Sequence, residues 1–163
     1  MTRVGYILLG GLLCTGCGVY SFTGHGIAGI ESIAVDPFDN RTAEFGIRED
    51  LTEAIITRLL ADRSLTLTDR NNADAVLKGV LIDVNDRPLT FQTDETVTEY
   101  QITITVEFSL MVPGKTEPIW EGRISGIGSY PYRSGGLEER RGGITEALDR
   151  IAQDLINRLT SDW

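Results

Sequence analysis

The chain has 163 residues, with 15 basic and 24 acidic side chains and a formal net charge of −9. That length suffices for one domain with a real core. The acidity excludes a basic nucleic-acid-binding face and a broad electrostatic grip on anionic lipid.

The N-terminal stretch sets the topology. Arg3 precedes an apolar run from Val4 to Leu13, and Thr15 and Gly16 stand directly before Cys17. A charged start, a short apolar middle and small residues at a cut site are the layout of an export signal. The run falls well short of the roughly twenty residues a membrane-spanning helix needs. The cysteine after the small residues makes the segment resemble a bacterial lipoprotein signal, in which that cysteine is lipidated and becomes the first residue. The other cysteine, Cys14, follows Leu13, which is too large for the cut site, so Cys17 is the expected lipidation site. Residues 1–16 are then the signal peptide and 17–29 a glycine-rich lipidated tether. The alternative is an ordinary secretory signal with a free thiol left over. With one cysteine cut away and the other lipidated, no disulfide is expected, and packing alone stabilises the fold.

The tether contains Gly24-His25-Gly26-Ile27-Ala28-Gly29, which formally matches a dinucleotide fingerprint. That motif must follow a strand and open a helix, whereas here a strand begins just after it. His25 is the only histidine, so no histidine base serves a site in the folded domain and no Cys/His spacing offers a zinc site. No catalytic constellation, metal or cofactor is expected.

Ile30 to Val35 reads as a strand, ended by Asp36-Pro37. Phe38 to Thr42 reads as a turn-rich loop. Ile47, Leu51, Ile55 and Leu59 form one face of a helix over about 46–61, with Glu49 and Asp50 complementing its dipole. Leu65 to Thr68 is a short strand, and 69–72 a turn. Ala75 to Val84 is a longer strand, with Val76, Val80, Ile82 and Val84 on one face. Residues 85–95, polar and containing Pro88, read as a long loop. Tyr100, Ile102, Ile104, Val106, Phe108, Leu110 and Val112 then occupy every even position, with polar residues on most odd ones. This alternation marks a strand with one greasy and one polar face. After the connection 113–118, a strand runs from Ile119 to about Tyr130, its even face weakened by Gly122, Gly126 and Gly128. Ile144, Leu148, Ile151, Leu155 and Leu159 mark a second amphipathic helix ending near Thr160. It can begin as early as Leu137, with Gly142-Gly143 expected to fray its start at about 1 kcal/mol per glycine. The expected fold is α+β: a two-layer sandwich with two helices packed on one face of a mostly antiparallel four- to five-stranded sheet. The aromatics Tyr100, Phe108 and Trp120 are expected in its core.

Several phrases together resemble one family. Cys17-Gly-Val-Tyr-Ser-Phe22, Ile33-Ala-Val-Asp-Pro-Phe-Asp-Asn-Arg-Thr42, Ala73-Asp-Ala-Val-Leu-Lys-Gly79, Val97-Thr-Glu-Tyr100 and Ile119-Trp-Glu-Gly122 are similar, in order and spacing, to the LPS-assembly lipoprotein family LptE. Cys14 and the glycine pair depart from the pattern. The resemblance implies a non-catalytic lipoprotein at the periplasmic face of the outer membrane. It also implies a complex with the β-barrel LptD, which such proteins plug and help assemble during lipopolysaccharide delivery. A barrel interior is polar, so the polar residues Gln101, Thr103, Thr105 and Glu107 are the expected partner surface, although a merely solvated sheet face reads the same way. Lipopolysaccharide phosphates would need cations, for which Arg87, Lys115, Arg123 and Arg133 are the candidates, followed by Arg140 and Arg141. The competing reading is another envelope lipoprotein, such as an auxiliary subunit of an export system or a periplasmic binding module.

Overall fold

The alternation that dominates the sequence organises the structure. In the computed structural model, which describes residues 29–91, 97–132 and 136–161, this stretch is a 15-residue strand, β5 (Val97–Met111). Ile102, Ile104, Val106, Phe108 and Leu110 are all buried in one core. The signal segment, Cys17, most of the glycine-rich tether with His25, and Arg133 lie outside the described residues.

Before β5 come β1 (Ser32–Val35), β2 (Asp39–Asn40), helix α1 (Ile47–Asp62), β3 (Thr66–Leu67) and β4 (Ala75–Phe91). After it come β6 (Trp120–Pro131) and helix α2 (Leu137–Thr160). The sheet order is β3-β1-β4-β5-β6, with β2 also on β4. Among the described residues the fold is therefore α+β with two helices. The sheet is mixed rather than mostly antiparallel: β4, β5 and β6 are antiparallel neighbours, whereas β1 runs parallel to β3 and β4, and β2 parallel to β4. The reason lies in α1. Parallel neighbours need a crossover long enough to return the chain, and α1 supplies it between β1 and β3.

Two expectations along β4 fail for one reason. The strand does not end at Val84; it continues through Phe91, and a register shift between Leu81 and Asp83 inserts Ile82 as an extra residue. A bulge reverses which side chains face inward. Leu77 and Leu81 are buried before it, and Val84 packs on the core after it, so Val76, Val80, Ile82 and Val84 do not share a face. Val76 is buried, but in a separate small cluster with Ala34 and Ala73. Pro88 does not break the strand. Val80–Leu81 is the last stretch of β4 paired on its outer side, so Pro88 stands on an open edge, where its missing N–H costs no ladder bond. The expected 38–42 loop holds the two-residue β2, and Phe38 is buried edge-on against Phe108. Phe108 is core, while Tyr100 and Trp120 pack half-buried against it.

The glycines at the helix–strand contact act against fraying. A Cβ on Gly128 would lie 1.9 Å from the Gly143 carbonyl oxygen, and one on Gly126 would lie 2.0 Å from that of Ala147. Strand and helix backbones thus touch, and α2 runs unbroken from Leu137 across Gly142-Gly143.

Candidate functional site

The face of the sheet turned away from the main core is polar over the middle of β5 and carries the small Ala34–Ala73–Val76 cluster near the β1 end. On β5 it presents Gln101, Thr103, Thr105 and Glu107. Register places Asn85 and Asp83 of β4 beside Thr103 and Thr105. On the other side Ser129, Ile127, Ser125 and Arg123 of β6 stand opposite Gln101, Thr103, Thr105 and Glu107. Alternation alone puts these residues on one side. The face satisfies itself: the Thr105 and Ser125 hydroxyls are 2.9 Å apart, Gln101 donates to Thr103 at 3.5 Å, and Arg123 bonds Glu107 at 2.5 Å. Thr105 is only 9% exposed, and Ile127 is an apolar spot in the middle, 41% exposed.

Toward the β1–β2 connection this face deepens into a trough of about 960 Å³. Its charged lining is Asp36, Asp39, Glu107 and Glu121 against Lys78 and Arg123. Carboxylates outnumber cations, so the trough repels rather than concentrates a phosphate. Asp36 is held by Arg70 at 2.6 Å.

Of the cations singled out in the sequence, Arg87, Lys115 and Arg123 do not converge, Arg133 lies outside the described residues, and Arg140 and Arg141 line one groove. Arg87 pairs with Gln101 toward the far end of β4. Lys115 sits in the turn after β5, where its N–H donates to the Val112 carbonyl. Since Val76 pairs with Met111 at that end, extended spacing puts about 35 Å between Arg87 and Lys115. Arg123 lies between them, bonded to Glu107.

At the far pole α2, β4, β6 and the β2–α1 connection meet in a polar knot around Arg140, which the sequence singles out only as a candidate phosphate-binding cation. Arg140, in the first turn of α2, grips Glu44 through two bonds of 2.9 Å and donates to Asp86 of β4 at 3.0 Å. The Tyr130 hydroxyl of β6 donates to the other Asp86 oxygen at 2.7 Å. Burial, then the bond to the Asp86 carboxylate, push the Tyr130 phenol up to about 12. The Glu44 hydrogen bonds hold the Arg140 guanidinium charged above its ordinary range. Tyr130 stacks on Tyr100 with ring centroids 5.7 Å apart, and Tyr132 follows at 5.5 Å. Asp86 reaches this knot because the bulge turned it to the core side, a position invisible while 85–95 reads as loop. Beside the knot a groove of about 470 Å³ is flanked by Phe45, Leu137 and Arg141. Phe45 is 99% and Leu137 82% exposed.

Among the described residues no cluster of three or more His, Cys, Asp or Glu could hold a metal. No helix among them is long and apolar enough to cross a membrane.

A family model described as LptE, lipopolysaccharide-assembly, matches residues 30–159. No curated protein matches significantly. Among solved structures the chain is similar to a minor lipoprotein from Acinetobacter baumannii, with 16% identity and a TM-score of 0.55 over 80% of this chain and 92% of that one. It is also similar to the PelC dodecamer from Paraburkholderia phytofirmans, with 16% identity and a TM-score of 0.51 over 82% and 89%. A Xanthomonas campestris protein gives a TM-score of 0.60 at 8% identity over 78% and 82%. At these identities the structural likenesses establish the fold alone.

Proposed function

From its membership of the LptE lipopolysaccharide-assembly family, to which this chain belongs across residues 30–159, we propose that it is an outer-membrane lipoprotein that plugs an LptD-type β-barrel. In this role it assists barrel assembly for lipopolysaccharide transport to the cell surface. Cys17 carries the lipid after loss of residues 1–16, and residues 17–29 tether the domain at the periplasmic face. The role is a scaffold's rather than a catalyst's. In this reading the helices cover the core side of the sheet and the polar face meets the barrel.

The observation that carries this reading is the polar face built on Gln101, Thr103, Thr105 and Glu107. A barrel lumen is lined by polar side chains, so a plug entering it must present a surface that does not demand burial in apolar material. Its β5–β6 part does so, with Gln101 bonded to Thr103, Thr105 to Ser125 and Glu107 to Arg123. Lipopolysaccharide contact is secondary, because Arg87, Lys115 and Arg123 stand apart and the intervening trough is acidic. Arg133 remains the fourth candidate for that contact.

The test is recovery of partners. A tagged chain extracted from membranes in mild detergent should bring down one very large β-barrel protein, and Thr103→Lys should weaken that recovery while leaving the fold intact. Mass spectrometry should find residues 1–16 absent and acyl chains on Cys17. Recovery of an inner-membrane transporter instead would favour an auxiliary subunit of an export system, and an unmodified Cys17 would remove the membrane placement.

A further inference from the structure

Among the described residues, no strand lies on the outer edge of β4 over its second half. Its last outer rungs are the pairing of Asn40 with Leu81 and the Arg41 N–H donated to the Leu81 carbonyl at 2.9 Å. There the Asn40 side chain turns the chain away: its amide donates to the Glu44 carbonyl and its oxygen accepts from the Thr42 N–H. From Asp83 onward, among the described residues, no strand pairs with β4 on that side.

Which backbone groups face outward follows from the ladder. The Tyr132 N–H donates to the Thr98 carbonyl, so even residues of β5 turn their backbone groups to β6 and odd ones to β4. Asp83, Asn85 and Arg87 pair with Thr105, Thr103 and Gln101, so their N–H and C=O groups are used. Val84, Asp86 and Pro88 point theirs outward. On the polar face of the same stretch stand Asp83, Asn85 and Arg87, all exposed. Among the described residues neither Asp83 nor Arg87 has an ion-pair partner; Arg87 donates only to the Asn85 side chain, at 3.3 Å.

Two opposite charges four residues apart on one face of an open edge have a specific complement: the same segment running the other way. We propose that this edge is a self-association site at which a second copy of the chain pairs antiparallel about Asn85. Val84 and Asp86 of each copy exchange main-chain hydrogen bonds. Asn85 faces its own counterpart at the two-fold axis, and Asp83 of each copy stands opposite Arg87 of the other. Pro88, which has no N–H to offer, lies beyond these rungs. An edge guarded by charges of one sign would repel its copy; here the order acidic, neutral, basic makes the two-fold register attractive. The contact is isologous, so it closes at two copies.

A contact this short belongs with weak interfaces, so the full purified chain is studied by sedimentation from about 10 µM to about 1 mM. The expected result is a monomer–dimer equilibrium in that range, weakened by raised salt as the exposed ion pairs are screened. Asp83→Arg alone and Arg87→Asp alone should each weaken dimerisation by about tenfold or more, because each places like charges face to face twice. The double exchange should restore it, which a general loss of folding would not allow. At the axis the Cα atoms approach to the disulfide range, so Asn85→Cys should cross-link on oxidation well beyond the unsubstituted chain, which controls for Cys14 and Cys17. A chain that stays monomeric throughout would overturn the proposal, as would dimerisation that ignores both single reversals.

Discussion

Placing a single methyl group on Gly128 should loosen the whole domain. Its Cβ would stand 1.9 Å from the Gly143 carbonyl oxygen and 2.8 Å from its carbonyl carbon. Carbon and oxygen do not approach closer than about 3 Å without strong repulsion, so α2 would have to retreat from β6 by about 1 Å. No side chain can rotate to relieve this, because the obstruction is helix backbone. The retreat also pulls Ala147, Leu148 and Ile151 from the buried cluster they share with Ile102, Ile104 and Ile124. Overpacking of a close-packed contact costs about 1–3 kcal/mol, against about 0.4–1 kcal/mol recovered from a less flexible unfolded chain. The net loss for Gly128→Ala is then about 1–2 kcal/mol, near the lower end if α2 tilts rather than translates. For a domain of this size that lowers Tm by roughly 3–8 °C. Gly142→Ala is the internal control. A Cβ there meets nothing within 4 Å, and the position is exposed inside a helix, so alanine should add about 1 kcal/mol. Thermal and urea unfolding of the purified protein measure both. A Gly128→Ala protein as stable as the parent, or a Gly142→Ala protein equally weakened, would refute the claim that the backbones touch at this point.

Three further outcomes follow from the polar contacts. Spectrophotometric titration should find one tyrosine ionising near 12, and Tyr130→Phe should remove it. Because the folded phenol keeps its proton after the unfolded one loses it near 10, stability should fall as pH rises from about 10 to 12, less steeply in the variant. Arg140→Ala leaves Glu44 and Asp86 facing each other without a cation. It should cost about 1–3 kcal/mol and speed amide exchange at Asn85, Arg87 and 100–104 before the rest of the sheet opens. Asp74 accepts from the Ser32 hydroxyl at 2.7 Å and from the Ser32 and Glu31 N–H groups, bonds that hold its carboxyl below the usual range. That contribution is present above about pH 4 and is lost as pH falls through the lower folded value, so the acid limb of the stability curve should be shallower in Asp74→Asn.

Where a period was long and uninterrupted, the chain could be read directly. The even positions of β5 and the four-residue steps of Ile47, Leu51, Ile55 and Leu59 are one-dimensional signals, and each became a buried face. Legibility stopped where one residue changed the parity. Ile82, inserted by the bulge, moved Asp86 to the core side and Asp83 and Arg87 to the open side, so the Asp86–Arg140–Glu44–Tyr130 knot had no signature in spacing. The parallel partners of β1 were hidden for another reason: four residues alternate too briefly to reveal direction, which α1 dictates. Gly126, Gly128 and Gly143 were legible as interruptions, but their meaning is a contact between distant segments and cannot be read from either alone. For the candidate site, the polar set Gln101 to Glu107 was legible as one face. The company it keeps, Ser125, Arg123 and the exposed Ile127 from β6, required the register.

The glycine contact and the polar face are connected. With α2 drawn onto β6 until the backbones meet, its buried side chains reach Ile102, Ile104 and Ile124 from one side of the sheet, and the apolar demand of β5 is met there. The other face then has no need of an apolar cover. Its polar groups bond across strands, Thr105 with Ser125 and Arg123 with Glu107. Among the described residues no buried side-chain polar atom is left without a partner. A surface so satisfied costs little in water and little against other polar groups, since an exchange of hydrogen bonds between water and a polar wall is nearly neutral. In the proposed plug role, the domain would enter a polar lumen already folded. A greasy face would instead need an apolar cover, and the placement of the threonines and glycines removes much of that need.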